Sequence, residues 1–146
     1  MSRPITTIVA PILHYADALL LKLTGGRLDF TRASGLPVIE LTTTGAKSGQ
    51  PRTLPLAGYP DGEKFVLIAS NYGREHHPAW YHNLKANPEC TIKKEGLEDI
   101  FVARETDGEE RKQCWSLASS YYGGYDVYKR RAAHRMIPVM VLEPKR

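Results

Sequence analysis

The sequence predicts an α+β fold that is mainly β, with about six antiparallel strands and flanking helices, and three observations carry that prediction. Extended runs rich in β-branched and other apolar residues recur between Val38 and Leu142. Two of the breaks between them, Pro60-Asp61-Gly62 and Glu95-Gly96, are tight glycine turns that join antiparallel neighbours. Helical spacing of apolar residues is found near the amino terminus and again over about residues 108–121.

Taken in order, Ile5, Ile8, Val9, Ile12, Ala16, Leu19, Leu20 and Leu23 fall on one face of a helix, so an amphipathic helix is expected over about 5–23. His14 and Asp17 interrupt the apolar run, and no small-x-small cleavage site appears before Arg27, which argues against a signal peptide. Lys22 and the Gly25-Gly26 break argue against a membrane span. Packing on the sheet and peripheral contact with a membrane both remain open, although the polar face is poor in lysine and arginine. Leu28 to Leu36 reads as a connector, with Pro37 at the start of the first strand. Val38, Ile39, Leu41 and Thr42 to Thr44 form that strand, Arg52 to Tyr59 the second, and Lys64 to Ser70 a third with the apolar content of a strand buried on both faces. After a polar loop over 71–76, His77 to Leu84 reads as a short helix with Pro78 in its first turn, ended by Asn87-Pro88. Glu89 to Lys94 and Leu97 to Glu105 follow as a hairpin, and apolar residues alternating on both sides of the second strand suggest that both its faces meet apolar partners. Asp107 is placed to cap a helix from about Gly108 to Tyr121, with Glu109 and Glu110 in the first turn. Ile137 to Leu142 is the last expected strand.

At 146 residues with 42% apolar content, the chain suits one core and therefore a single domain over 1–146. The net charge of +4 suits an anionic small ligand, a membrane surface or nucleic acid equally. Its basic residues are scattered among acids without an aromatic-basic strand motif, so a nucleic-acid partner is not expected. Cys90 and Cys114 lack Cys-x-x-Cys spacing, which fits a reduced, cytoplasmic protein. No metal is expected: His77 and His82 are five apart and no His-Glu-x-x-His spacing occurs.

The chemistry-bearing stretch is Gly45-Ala46-Lys47-Ser48-Gly49, with Arg52 just beyond it. Backbone N–H groups, a hydroxyl and an ammonium could converge there on an anion, but a solvated hairpin loop explains the same residues equally well. It is not a Walker A loop, because Gly45 lies two residues before Lys47 and Pro51 follows in place of a helix. Tyr122, Tyr125 and Tyr128 recur every third residue, as an aromatic stripe or as a pocket lining.

Five blocks in order, LTTTGAKSGQPRTLPL, FVLIASNYG, HPAWYHNLKANPE, Tyr-Tyr-Gly-Gly-Tyr-x-x-Tyr and IPVMVLEP, resemble the deazaflavin-dependent nitroreductase family of actinobacteria over about residues 37–144. The resemblance implies a split β-barrel related to the FMN-binding reductases, and coenzyme F420 as cofactor, with FMN as the alternative. It implies a reductase that passes hydride from the reduced deazaflavin to a quinone, nitroaromatic or unsaturated-lactone acceptor, or else a non-catalytic F420 carrier. Lys47, Ser48 and Arg52 would then meet the acidic tail, and Pro55, Leu56, Ala69, Ser70, Asn71, His77, Pro78, Ala79, Trp80 and Asn83 are carried over as cofactor contacts. Ser70, Tyr59, Tyr122, Tyr125 and Tyr128 are the hydroxyl candidates for orienting the acceptor or donating a proton. Many relatives carry a second basic residue before the loop lysine, where Ala46 stands here, so Arg74, Lys64 or Arg32 are candidates to supply charge. A homodimer is common for such barrels.

Overall fold

The computed structural model describes residues 36–132 and 135–146; the expected helix over 5–23 and Arg32 lie outside them. The described chain runs β1 (Val38–Thr44), β2 (Pro51–Ala57), β3 (Tyr59–Asp61), β4 (Lys64–Ile68), a 3-10 turn (Asn71–Gly73), α1 (Ala79–Ala86), β5 (Glu89–Lys94), β6 (Leu97–Glu105), α2 (Gly108–Tyr121), α3 (Gly124–Arg131) and β7 (Val139–Pro144). All strand pairs are antiparallel, in the order β2-β1-β5-β6-β7-β4-β3.

That order explains the curl of the sheet. β2 and β3 stand at opposite edges, yet only Gly58 separates them in the chain, so the two edges must meet at one corner and the sheet bends round on itself. Gly58 donates its N–H to the Pro37 carbonyl at 3.0 Å, and a Cβ there would sit 2.6 Å from Ile39 Cδ1. Gly58 breaks the run from Arg52 to Tyr59, expected as one strand, into two, which raises the count among the described residues from about six to seven.

Alternation sets the layers. Ile39 and Leu41 of β1, Ile92 of β5, Phe101 and Ala103 of β6, Leu67 of β4 and Met140 and Leu142 of β7 gather inside the curl with Trp80 and Leu84 of α1. The intervening residues Val66, Ile68, Val139 and Val141 face outward, where Cys114 and Ala118 of α2 and Tyr125 of α3 cover them. β4 and β7 are thus buried on both faces, as the apolar run before Ser70 suggests. Each fully buried Leu, Ile or Val contributes roughly 1.5–3 kcal/mol.

β6 departs from expectation. Phe101 and Ala103 are buried, but Ile100 and Val102 on the opposite face are 48% and 38% exposed, so among the described residues that second apolar face has no cover; Leu97, beside the turn, is 76% exposed. The Glu95-Gly96 turn is as expected, with both residues in the left-handed region at φ 52° and 83°. Asp107 occupies the N-cap of α2 without a side-chain capping bond, and Pro78 is the N-cap of α1 instead of lying inside its first turn. β7 starts two residues later than read, because Ile137 and Pro138 precede the ladder and Pro138 supplies only its carbonyl, to Ala69 N–H.

Candidate active site

Three structural features surround the expected site residues: the β1–β2 loop, the strand-end loop 69–77, and the α2–α3 junction. The β1–β2 loop is closed by Gly45 N–H to the Gln50 carbonyl at 2.8 Å and Gly49 N–H to the Gly45 carbonyl at 2.9 Å. Gly49 has φ 69°, a conformation that favours glycine, and a Cβ on Gly45 would lie 2.4 Å from Ser48 Oγ, so a side chain there would displace that hydroxyl. Gln50 N–H donates to Ser48 Oγ at 3.2 Å and Ala46 N–H to Asn83 Oδ1 at 2.9 Å. Four loop N–H groups are therefore bonded within the fold, and of the expected backbone cradle the N–H groups of Lys47 and Ser48 carry no hydrogen bond to a described residue. What the loop presents is side-chain charge. Lys47, Ser48 and Arg52 are exposed, Arg52 Nη2 donates to Ser48 Oγ at 3.3 Å, and neither cation forms an ion pair with a described residue.

Asn83 of α1 braces this corner. Its amide accepts from Ala46 and donates to the buried Thr43 Oγ1 at 3.0 Å, which uses both ends of the side chain within the fold. Trp80 packs in the inner core with Leu84, and Ala69 is fully buried there; Pro55 and Leu56 lie half-buried on β2. Pro78 is half-buried and Ala79 exposed at the start of α1.

The strand-end loop starts at buried Ser70, whose carbonyl accepts from Gly73 N–H at 2.9 Å. Asn71 takes φ 48° and donates Nδ2–H to the His76 carbonyl at 2.8 Å, closing the loop over residues 71–76. Gly73, at φ 79°, comes so close to α3 that a Cβ would lie 2.8 Å from Arg131 Cβ and 3.2 Å from Tyr128 Cα. The loop beyond Ser70 is thereby pressed against the helix that carries two of the tyrosines. His77 ends the loop; its pKa is lowered by burial first and then by Arg135 and His82, against the opposing pull of Glu105. Tyr81 and His82 stack near it at 4.8 and 5.9 Å.

All four expected tyrosines belong to one cluster. The hydroxyls of Tyr59 and Tyr125 are 2.5 Å apart and those of Tyr122 and Tyr128 are 2.7 Å apart. Tyr122 and Tyr125 rings meet edge to face at 5.1 Å, and Tyr121 adds a tilted contact on Tyr59 at 5.1 Å. Burial pushes the Tyr59 phenol up to about 12 and raises Tyr125 as well, so both stay protonated at neutral pH. Tyr122 precedes α3 and its ring folds back over Gly124, leaving no room for a Cβ there. Stripe and pocket lining are thus not exclusive: Tyr59 and Tyr125 are core, Tyr122 and Tyr128 half-buried.

Arg135 escaped the sequence reading. Its Nε donates to the Arg74 carbonyl at 3.1 Å and its Nη2 to the Ser70 carbonyl at 2.8 Å, while Nη1 lies 2.6 Å from His77 Nδ1. The only sequence signal is an arginine just ahead of the closing apolar run. An open groove of about 540 Å3 lies elsewhere, lined by Thr42, Thr44, Pro51, Pro88, Thr91 and Ile100, and includes none of the expected site residues.

A curled seven-stranded antiparallel sheet with three helices among the described residues, carrying a cationic corner that forms no ion pair with them, places the chain among the split-barrel oxidoreductases. The sequence model of the F420H(2)-dependent quinone reductase family matches residues 16–144, and the chain belongs to that family. It is 36% identical over 124 residues to the F420H(2)-dependent quinone reductase Rv1261c of Mycobacterium tuberculosis, covering 82% of this chain and 81% of that protein. Among solved structures, F420-H2 dependent reductase FDR-A superposes with TM-score 0.67 at 40% identity, over 73% of this chain and 94% of that one. A chain described as a domain-swapped dimer gives TM-score 0.69 at 34% identity, over 95% and 96% of the two chains. The cofactor of the family is coenzyme F420, which leaves FMN as the alternative only. No described helix is long and apolar enough to cross a membrane.

Proposed function

We propose that this protein reduces quinone-type acceptors, with nitroaromatics and unsaturated lactones open to the same chemistry, using F420H2 held between the Lys47–Arg52 corner and the Ser70–His77 loop. The observation that supports the reading is the approach of Gly73, three residues beyond Ser70, to α3, the helix that carries Tyr125 and Tyr128. When bound, the reduced deazaflavin supplies a hydride. The chain's own residues do the rest. Lys47 and Arg52, without an ion pair among the described residues, offer positive charge to a phosphate and a carboxylate tail, and Ser48 adds a hydroxyl. A quinone that accepts a hydride also needs one proton, and the half-buried Tyr122–Tyr128 pair can donate to its oxygen while Tyr59 and Tyr125 hold that pair in place from the core. Ser70, whose carbonyl is held by Gly73 and Arg135, is the hydroxyl we assign to the ring or the developing oxyanion.

Two copies would pair in solution, a reading supported by the domain-swapped neighbour and by the uncovered Leu97, Ile100 and Val102 on β6. Buried, unpaired Cys90 and Cys114 support a reducing, cytoplasmic compartment.

The test is titration with F420H2 and separately with FMN, followed by menadione-dependent oxidation. F420H2 should bind in preference to FMN and be oxidised only with acceptor present; binding without acceptor-dependent oxidation would leave a carrier. The double variant Lys47→Ala/Arg52→Ala should raise the F420 dissociation constant at least about tenfold, about 1.4 kcal/mol, and flatten its salt dependence. An unchanged constant would remove this corner from the site.

A further inference from the structure

Arg135 stands between α3 and β7, and its guanidinium is turned wholly onto the strand-end loop. Nη1 also reaches the Ala69 carbonyl at 3.4 Å, so one side chain touches Ala69, Ser70, Arg74 and His77. Three of the four partners are main-chain carbonyls, which a planar fork of five N–H donors suits and an ammonium does not. The fourth is more telling. Guanidinium has no acceptor and keeps its protons, so the 2.6 Å contact requires His77 Nδ1 to carry the lone pair. The ring proton then resides on Nε2.

We propose that Arg135 is a positioning residue, which clamps the Ser70–His77 loop to the end of β4 and holds His77 as the neutral Nε2–H tautomer, leaving one fixed N–H donor for an oxygen of the cofactor or acceptor. The groups facing His77 are Arg135, Tyr81 and His82 of α1, and Glu105 of β6; only Glu105 favours the protonated ring. A protonated imidazole would set N–H against N–H at Nδ1, so the clamp and the cationic ring exclude each other. The functional half of this inference rests on the cofactor reading above; the tautomer does not.

The experiment is ring 15N spectroscopy of His77 across pH in the wild type, Arg135→Gln and Arg135→Lys, with F420H2 turnover measured alongside. The wild type should show protonated Nε2, bare Nδ1 and a titration midpoint below 6.5. Arg135→Gln should mix the tautomers, raise the midpoint and lower turnover about tenfold or more through loop misplacement, with Arg135→Lys between the two. A wild-type spectrum with Nδ1–H or mixed tautomers overturns the proposal even if neither variant folds. So does an Arg135→Gln protein that loses thermal stability but keeps the wild-type tautomer and midpoint. A wild type that shows the Nε2–H form, lost in Arg135→Gln, yet fails to oxidise F420H2 supports the clamp and counts against the cofactor assignment alone.

Discussion

The Tyr59 and Tyr125 hydroxyls, 2.5 Å apart and sealed from water, tie the chemistry of the cluster to the stability of the fold. An unfolded phenol ionises near 10, whereas burial holds Tyr59 to about 12 and raises Tyr125 too. Between those values the unfolded chain releases protons that the folded chain retains, so the stability present below about pH 10 is lost as pH climbs toward 12. Buried Cys90, raised to about 12, adds to the same decline. Melting temperature followed from about pH 8 upward, with phenolate absorbance as the ionisation signal, should show that fall, and Tyr59→Phe should make it shallower. Equal slopes in the two proteins would place the alkaline limit elsewhere. Tyr122, Tyr125 and Tyr128 were legible as neighbours because a fixed spacing carries them. Arg135 was not: Ser70 and His77 are 65 and 58 positions away from it, and hydrogen bonds to main-chain carbonyls leave no mark on side-chain pattern. The extent of the N–H cradle at 45–50 was hidden for a related reason, since composition supplies the donors but not the internal bonds that use four of them.

Among the elements, the β2–β3 corner is the most demanding. A Cβ at Gly58 would approach Ile39 Cδ1 at 2.6 Å and Cγ1 at 2.8 Å, and Ile39, only 1% exposed, has no free space to turn into. Gly58→Ala should therefore cost about 1–3 kcal/mol in urea denaturation, and Ile39→Val in the same chain should recover part of it by removing Cδ1. Strictly additive losses would show that this contact is not the cause. Element boundaries set by local chemistry were readable: Glu95-Gly96 defines the β5–β6 hairpin because only a left-handed pair closes so tight a turn. β3 was missed because its separation from β2 depends on one glycine inside an otherwise continuous extended run. Among the described residues nothing covers Ile100 and Val102 of β6; alternation fixes which residues share a face, not what lies opposite them.

For the molecule as a whole, binding that favours only the folded form should appear as thermal stabilisation. F420 at about a hundredfold its dissociation constant should add about 2.7 kcal/mol and raise the melting temperature, with FMN at the same concentration producing a smaller shift. No shift with F420 would contradict the cofactor site. The sequence order of the strands was legible but not their order in the sheet. β7 pairs with both β6 and β4, and the register that sets Leu67 against Met140 spans most of the described chain. This insertion has a consequence for biosynthesis. Until residue 144 has cleared the ribosome, β4 and β6 lack the strand that joins them, so a stalled or truncated nascent chain would display two unpaired hydrogen-bonding edges and an open apolar interior, an inviting target for chaperones.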